Sequence, residues 1–143
     1  MSEIINPQDA ELEEIILGSC LIESKAITLI ADILRPEAFY NEKNLEIYAT
    51  LQSMYRNGQK IDIITVKEEL ARRGKLEFIG GPYTLAHISG RVASSAHLEY
   101  HARILKQKYI RRETILGFHK LLALAADETH RYRRYIGRRS YPP

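Results

Sequence analysis

The sequence predicts an all-α fold on three observations. Period-two alternation of apolar and polar residues is nearly absent, which leaves little to build a strand from. Helix start and stop signals recur along the chain. Residues 96–126 contain no Pro and a single Gly, Gly117, so the chain there forms one long helix or two helices end to end.

The elements follow in order. Asn6 before Pro7 reads as an N-cap with Pro at the first helical position, where its missing N–H costs nothing. Asp9, Glu11, Glu13 and Glu14 place negative charge near the positive end of the helix dipole, and Leu12, Ile15, Ile16 and Cys20 share one face. A second helix is expected from Lys25, capped by Ser24, ending before Pro36, with Ile27, Ile30, Ile33 and Leu34 as its stripe. A third, capped by Asn41, carries Ile47, Tyr48, Leu51, Met54 and Tyr55 and stops at Gly58. Thr65-Val66-Lys67-Glu68 matches a capping box and opens a short fourth helix that ends at Gly74. Gly80-Gly81-Pro82 turns the chain into a fifth, holding Leu85, Ala86 and Ile88 and closed by Gly90.

Beyond Ser95 two apolar stripes succeed one another. Leu98, Ala102, Leu105 and Tyr109 form the first, which can pack on the preceding five helices. Arg111-Arg112-Glu113-Thr114 interrupts it. Ile115, Phe118, Leu122 and Ala125, with Leu121 beside them, form the second. No further helix in the chain is left to cover that second stripe, so it implies a partner or self-association.

Composition narrows the function. Its length suits one compact domain, organised as a helical head over residues 1–95, a long helical stretch over 96–126 and a tail over 127–143. The longest apolar run, Leu121 to Ala126, is far short of the roughly 20 residues of a membrane span. With no signal-peptide pattern at its start and one cysteine, Cys20, the sequence is that expected of a cytoplasmic protein. The net charge is +3, but Arg131, Arg133, Arg134, Arg138 and Arg139 crowd into an acid-free end; setting those five aside takes the balance from +3 to −2. The body therefore lacks the basic excess of a nucleic-acid-binding surface, and only the Arg- and Tyr-rich tail offers one. That tail supports a rival reading, a small nucleic-acid-binding protein; its break in composition equally suits foreign sequence.

Catalytic patterns fail. No phosphate-cradling Gly-rich loop with its Lys-Ser/Thr exists, so ATP hydrolysis by this chain alone is not expected, and no cofactor is. His97 and His101 stand at i, i+4, a spacing used for zinc, but Leu98-Glu99-Tyr100 between them breaks the metalloprotease pattern and favours two partly exposed helix histidines. Cys20 lies on an apolar face and reads as core. Glu11, Glu13 and Glu14 read as a solvated face serving the dipole and a partner. A DNA-reading element around Arg72, Arg73 and Lys75 is disfavoured because Glu68, Glu69 and Glu77 neutralise those bases.

These residues also carry a family resemblance. Asn6-Pro7-Gln8-Asp9-Ala10-Glu11, followed by Ile16-Leu17-Gly18, resembles the opening of DnaB-type replicative helicases. Pro36-Glu37-Ala38-Phe39-Tyr40 is similar to that family's P-x-D-F-Y, with Glu37 and Ala38 as departures. Ile61 to Val66 resembles its D-L-[IV]-T-[VL], Leu76 to Gly81 its L-x-x-[IV]-G-G, and Ser95 to Ile104 its A-A-N-[VI]-x-x-Y-A-x-I. The resemblance spans about residues 5–126 in family order; nothing after it resembles the second hairpin arm, linker helix and ATPase motor that the family carries. It implies a head of six helices followed by the first arm of a helical hairpin, domains that pair into a trimer of dimers, and a collar that binds the C-terminal domain of primase. On that basis Ile115, Phe118, Leu121 and Leu122 are expected to form the self-association and primase surface, with Glu11 as a polar contact.

Overall fold

The computed structural model describes residues 8–127, and no strand occurs among them. Five α-helices run in order: α1 (Ala10–Ile22), α2 (Glu42–Arg56), α3 (Ile63–Arg72), α4 (Pro82–Gly90) and α5 (Leu98–Ala126). Two 3-10 turns, Ala26–Leu29 and Pro36–Ala38, occupy the connection between α1 and α2. α1 is the central element and packs against α2, α4, α5 and the first 3-10 turn. Its Ile16, Leu17 and Cys20 have no exposed surface, which places the thiol in the core as the sequence implied.

Helix starts differ from the sequence reading in an informative way. α1 begins at Ala10, and Asp9 is its cap, accepting from the Leu12 N–H at 3.0 Å. Asn6 and Pro7 lie outside the described residues. α3 begins at Ile63 with Asp62 as cap, and Thr65 is the third helical residue: Asp62 accepts the Thr65 N–H at 2.8 Å while the Thr65 hydroxyl accepts the Asp62 N–H at 3.0 Å. The capping box thus starts three residues earlier than expected, and Glu68 has no part in it. Asn41 does cap α2, accepting from Lys43 and Asn44.

The helix expected over Lys25 to Arg35 is a 3-10 turn followed by irregular chain. Side chains of α2 take up backbone carbonyls there. The Tyr48 hydroxyl donates to Leu34 O at 2.8 Å, and Gln52 Nε2 donates to Ala31 O at 3.1 Å. Burial raises the Tyr48 hydroxyl well above its ordinary pKa, which keeps it a donor. Ile27, Ile30 and Leu34 remain buried, so the apolar spacing was right and the backbone form was not.

Glycines end the helices as their positions suggested. Gly58 follows α2 at φ +69° and Gly74 follows α3 at φ +70°. In both, the next residue bonds back five positions, Gln59 N–H to Met54 O and Lys75 N–H to Leu70 O, the left-handed closure that glycine adopts without strain. The sixth helix of the head and the expected hairpin arm are one unbroken helix, α5, and with a 3-10 turn in place of the second helix the described residues hold five α-helices.

Gly18 serves packing. A Cβ there would lie 2.6 Å from Ile88 O and 2.6 Å from Val92 Cγ2, so α1 and the end of α4 meet at a distance only glycine permits. Gly18→Ala is therefore expected to destabilise the fold by about 1–2 kcal/mol, because overpacking outweighs the roughly 1 kcal/mol gain in helix propensity. Chemical denaturation measures it; a higher midpoint would show that α4 moves aside freely.

Candidate docking surface

α5 divides at Arg112. Before it, Leu98, Ala102 and Leu105 are buried against the body, with Ile104 and Tyr109 partly buried beside them. Arg112, only 8% exposed, is the last buried residue of the helix. Its guanidinium donates to Ala38 O at 3.2 Å and lies 5.2 Å from the Tyr40 ring centre and 5.5 Å from that of Tyr109. The Arg-rich stretch that looked like an interruption therefore contains the point at which α5 is fastened to the second 3-10 turn. It continues the register of Leu98, Ala102, Leu105 and Tyr109, with a cation in place of an apolar side chain.

Beyond Arg112 the helix changes character. Ile115 is half-buried, while Phe118 is 66%, Leu121 62% and Leu122 68% exposed. Leu116 and Leu124 are exposed large apolar residues of the same half, and the sequence reading did not include them. At about 100° per residue, Ile115, Phe118, Leu121 and Leu122 centre roughly 150° around the helix from Leu98, Ala102, Leu105, Tyr109 and Arg112. Most of the apolar surface thus crosses to the far side of α5 as the helix leaves the body, and Leu116 alone of the large exposed apolar residues there keeps the buried register.

The acidic residues of α1 separate into distinct roles. Glu11 is exposed and lies 3.6 Å from Arg91, the residue that also pairs with Glu14. Glu13 corrects the expectation of a solvated acidic face, being 1% exposed. Its carboxylate accepts the Tyr40 N–H at 2.8 Å, the Asn41 N–H at 3.3 Å and Asn44 Nδ2 at 3.1 Å. In an ordinary capping box the third helical residue reaches back to the cap N–H; here Glu13 does so from another helix and holds that third residue, Asn44, as well.

The remaining candidates resolve simply. Glu69 bridges Arg72 and Arg73, and those two hydrogen bonds pull its carboxyl down to about 2. Lys75 lies 3.7 Å from Glu46 and over the Phe78 ring. These bases are thus engaged within the body. The His97 and His101 rings stand 6.3 Å apart edge to face, and no cluster of three metal-ligating side chains occurs among the described residues. The arginine tail and the aromatic residues in it lie outside the described residues. Among the described residues no helix is long and apolar enough to cross a membrane.

Residues 5–107 match the family described as DnaB-like helicase N-terminal domain. Over 108 residues the chain is 43% identical to the replicative DNA helicase DnaB of Rhodothermus marinus, covering 76% of this chain and 12% of that protein. It is 34% identical over 119 residues to the replicative DNA helicase DnaC of Bacillus subtilis, covering 80% and 26%. The chain therefore spans about an eighth to a quarter of these relatives. Its fold superposes on the crystal structure of the N-terminal domain of DnaB helicase from Mycobacterium tuberculosis with a TM-score of 0.82 at 30% identity, covering 87% of this chain and 91% of that one. A solved DnaB-like replicative helicase, described with its interactions with primase, gives a TM-score of 0.71 at 29% identity, covering 80% and 27%.

Glu13→Ala is expected to cost about 2–4 kcal/mol, because it strands two backbone donors at the start of α2. Glu13→Gln recovers only part, since its amide nitrogen must face a donor. Equal stability of the glutamine variant and the parent in urea titrations would show that the charge is not needed. For Glu69 the folded pKa lies below the unfolded one, so its stabilisation is complete above about pH 4.5 and disappears as pH falls toward 2. The stability gap between parent and Glu69→Gln should follow that course, read from melting temperatures at each pH.

Proposed function

Because the chain belongs to the family of DnaB-like helicase N-terminal domains, we propose that it acts as the docking and assembly module of a replicative DNA helicase. Its working surface is the far face of α5, Ile115, Phe118, Leu121 and Leu122, with Glu11 as a polar contact. One observation carries the reading: three adjacent large apolar side chains stand more than 60% exposed on a helix whose first half is packed. Isolated exposed apolar residues are ordinary, whereas a contiguous face at helical spacing fits an apolar face on a partner helix. The solved helicase described with its interactions with primase supports primase as one partner, of which we take the C-terminal domain, and a second copy of this chain is the other.

The chemistry follows from the same arrangement. The chain contributes contacts and geometry; ATP-driven unwinding belongs to a motor with a phosphate-binding loop, a sequence this chain lacks. Since the exposed face points away from the body, a partner approaches α5 from outside and leaves the head's core intact. The surface of an assembled helicase would thereby gain affinity for primase without any refolding of the head.

Calorimetric titration with the C-terminal domain of the cognate primase tests the docking role, and sedimentation tests self-association. Phe118→Asp or Leu122→Asp is expected to weaken the association tenfold to a hundredfold, the value of one buried apolar anchor. Helical content and melting temperature should stay at parent values. If instead the fold collapses, those residues are core and the surface is misassigned.

A further inference from the structure

α5 leaves the body just past Arg112, its last buried residue. From Arg112 to Ala126 it runs 14 residues, about 20 Å. None of those later residues is fully buried. A pivot of about 10° at Arg112 would carry the tip of the helix by roughly 4 Å. Whatever fixes Arg112 therefore fixes where Phe118 and Leu122 stand.

A chain of contacts reaches Arg112 from other elements. The Arg112 guanidinium is held by the carbonyl of Ala38, at the end of the second 3-10 turn. It also faces the ring of Tyr40, two residues further on. The Tyr40 N–H is held in turn by Glu13 of α1, one helical turn or less from Glu11. A planar guanidinium against an aromatic ring is an orientation-sensitive contact, because the attraction depends on the cation standing over the face of the ring. A lysine ammonium keeps the charge but neither the plane nor the fork of donors.

We propose that Tyr40 and Arg112 form a positioning joint, anchored by Glu13, that sets the direction of the projecting half of α5 relative to α1. Its functional weight rests on the reading of that half as a docking arm; its geometry does not. Glu11 and the apolar face of α5 sit on two different helices, and this joint holds them at one fixed separation. The two residues act through α5 and need not touch the partner.

The test uses the full chain without any partner, so failure of primase binding leaves it decisive. Spin labels at Glu68→Cys and Lys120→Cys report the distance from α3 to the arm, and labels at Glu68→Cys and Gln107→Cys report the packed half. Cys20, fully buried, stays unlabelled. Tyr40→Leu and Arg112→Lys are each expected to shift or broaden the 68–120 distance by roughly 4 Å. The 68–107 distance should hold, and Tyr40→Phe should match the parent. An unchanged 68–120 distance overturns the proposal. So does an equal change in both distances, which would mean general loosening of the core.

Discussion

The connection between α1 and α2 has to deliver two peptide N–H groups, those of Tyr40 and Asn41, to a place where no helix or sheet supplies acceptors. The Glu13 carboxylate supplies them from the first turn of α1. A buried carboxylate is costly unless its oxygens are filled, and here three donors fill them. Several features follow from that arrangement. It fixes the start of α2, whose Tyr48 and Gln52 then hold the irregular chain of Ala31 and Leu34. It also fixes Tyr40, against which Arg112 closes. The central helix thereby governs both ends of the fold by polar contacts as well as by its apolar face.

α5 belongs to two environments in succession. Its first half completes the core of the head, and its second half offers an apolar face with no cover among the described residues. The shift from one side of the helix to the other lets a single straight element do both without bringing a partner into the head. A helix with one continuous stripe could not: extending the buried register past Arg112 would aim the free half back at the body's own side.

Much of this architecture was readable in the sequence, and the misreadings share a cause. Apolar spacing located α1, α2, α4 and α5, and glycine located the ends of α2 and α3. Caps were assigned to the wrong residue because Asn6-Pro7 and Thr65 carry the residue types of caps, while Asp9 and Asp62 occupy the geometry. The segment after Ser24 has helical apolar spacing, but its carbonyls bond to α2 side chains, which lie 14 and 21 residues away and leave no local trace. Glu13 was read as solvated and Arg112 as part of a break in the apolar stripe because they are charged. Both nevertheless fall on the register of buried neighbours: Glu13 with Ile16, Leu17 and Cys20, and Arg112 with Leu105 and Tyr109. A charge that keeps an apolar register is a signal of a buried ionic contact, and it was available. The exposure of Phe118, Leu121 and Leu122 could be expected because apolar residues at helical spacing with nothing left to cover them have no local explanation, whereas the exposed Leu116, which continues the buried register, and Leu124 were not included.

Glu11 enters any encounter already engaged. Arg91 lies beside it and is shared with Glu14, so an arriving cation meets an occupied carboxylate and has to exchange with an internal one. Such an exchange returns little net affinity, since one screened pair replaces another. What it can return is discrimination: a partner with the wrong charge at that point gains nothing and displaces nothing, while the correct one swaps in at small cost. In the proposed docking role the carboxylate would act as a selector, and the strength of the complex would be left to the apolar face.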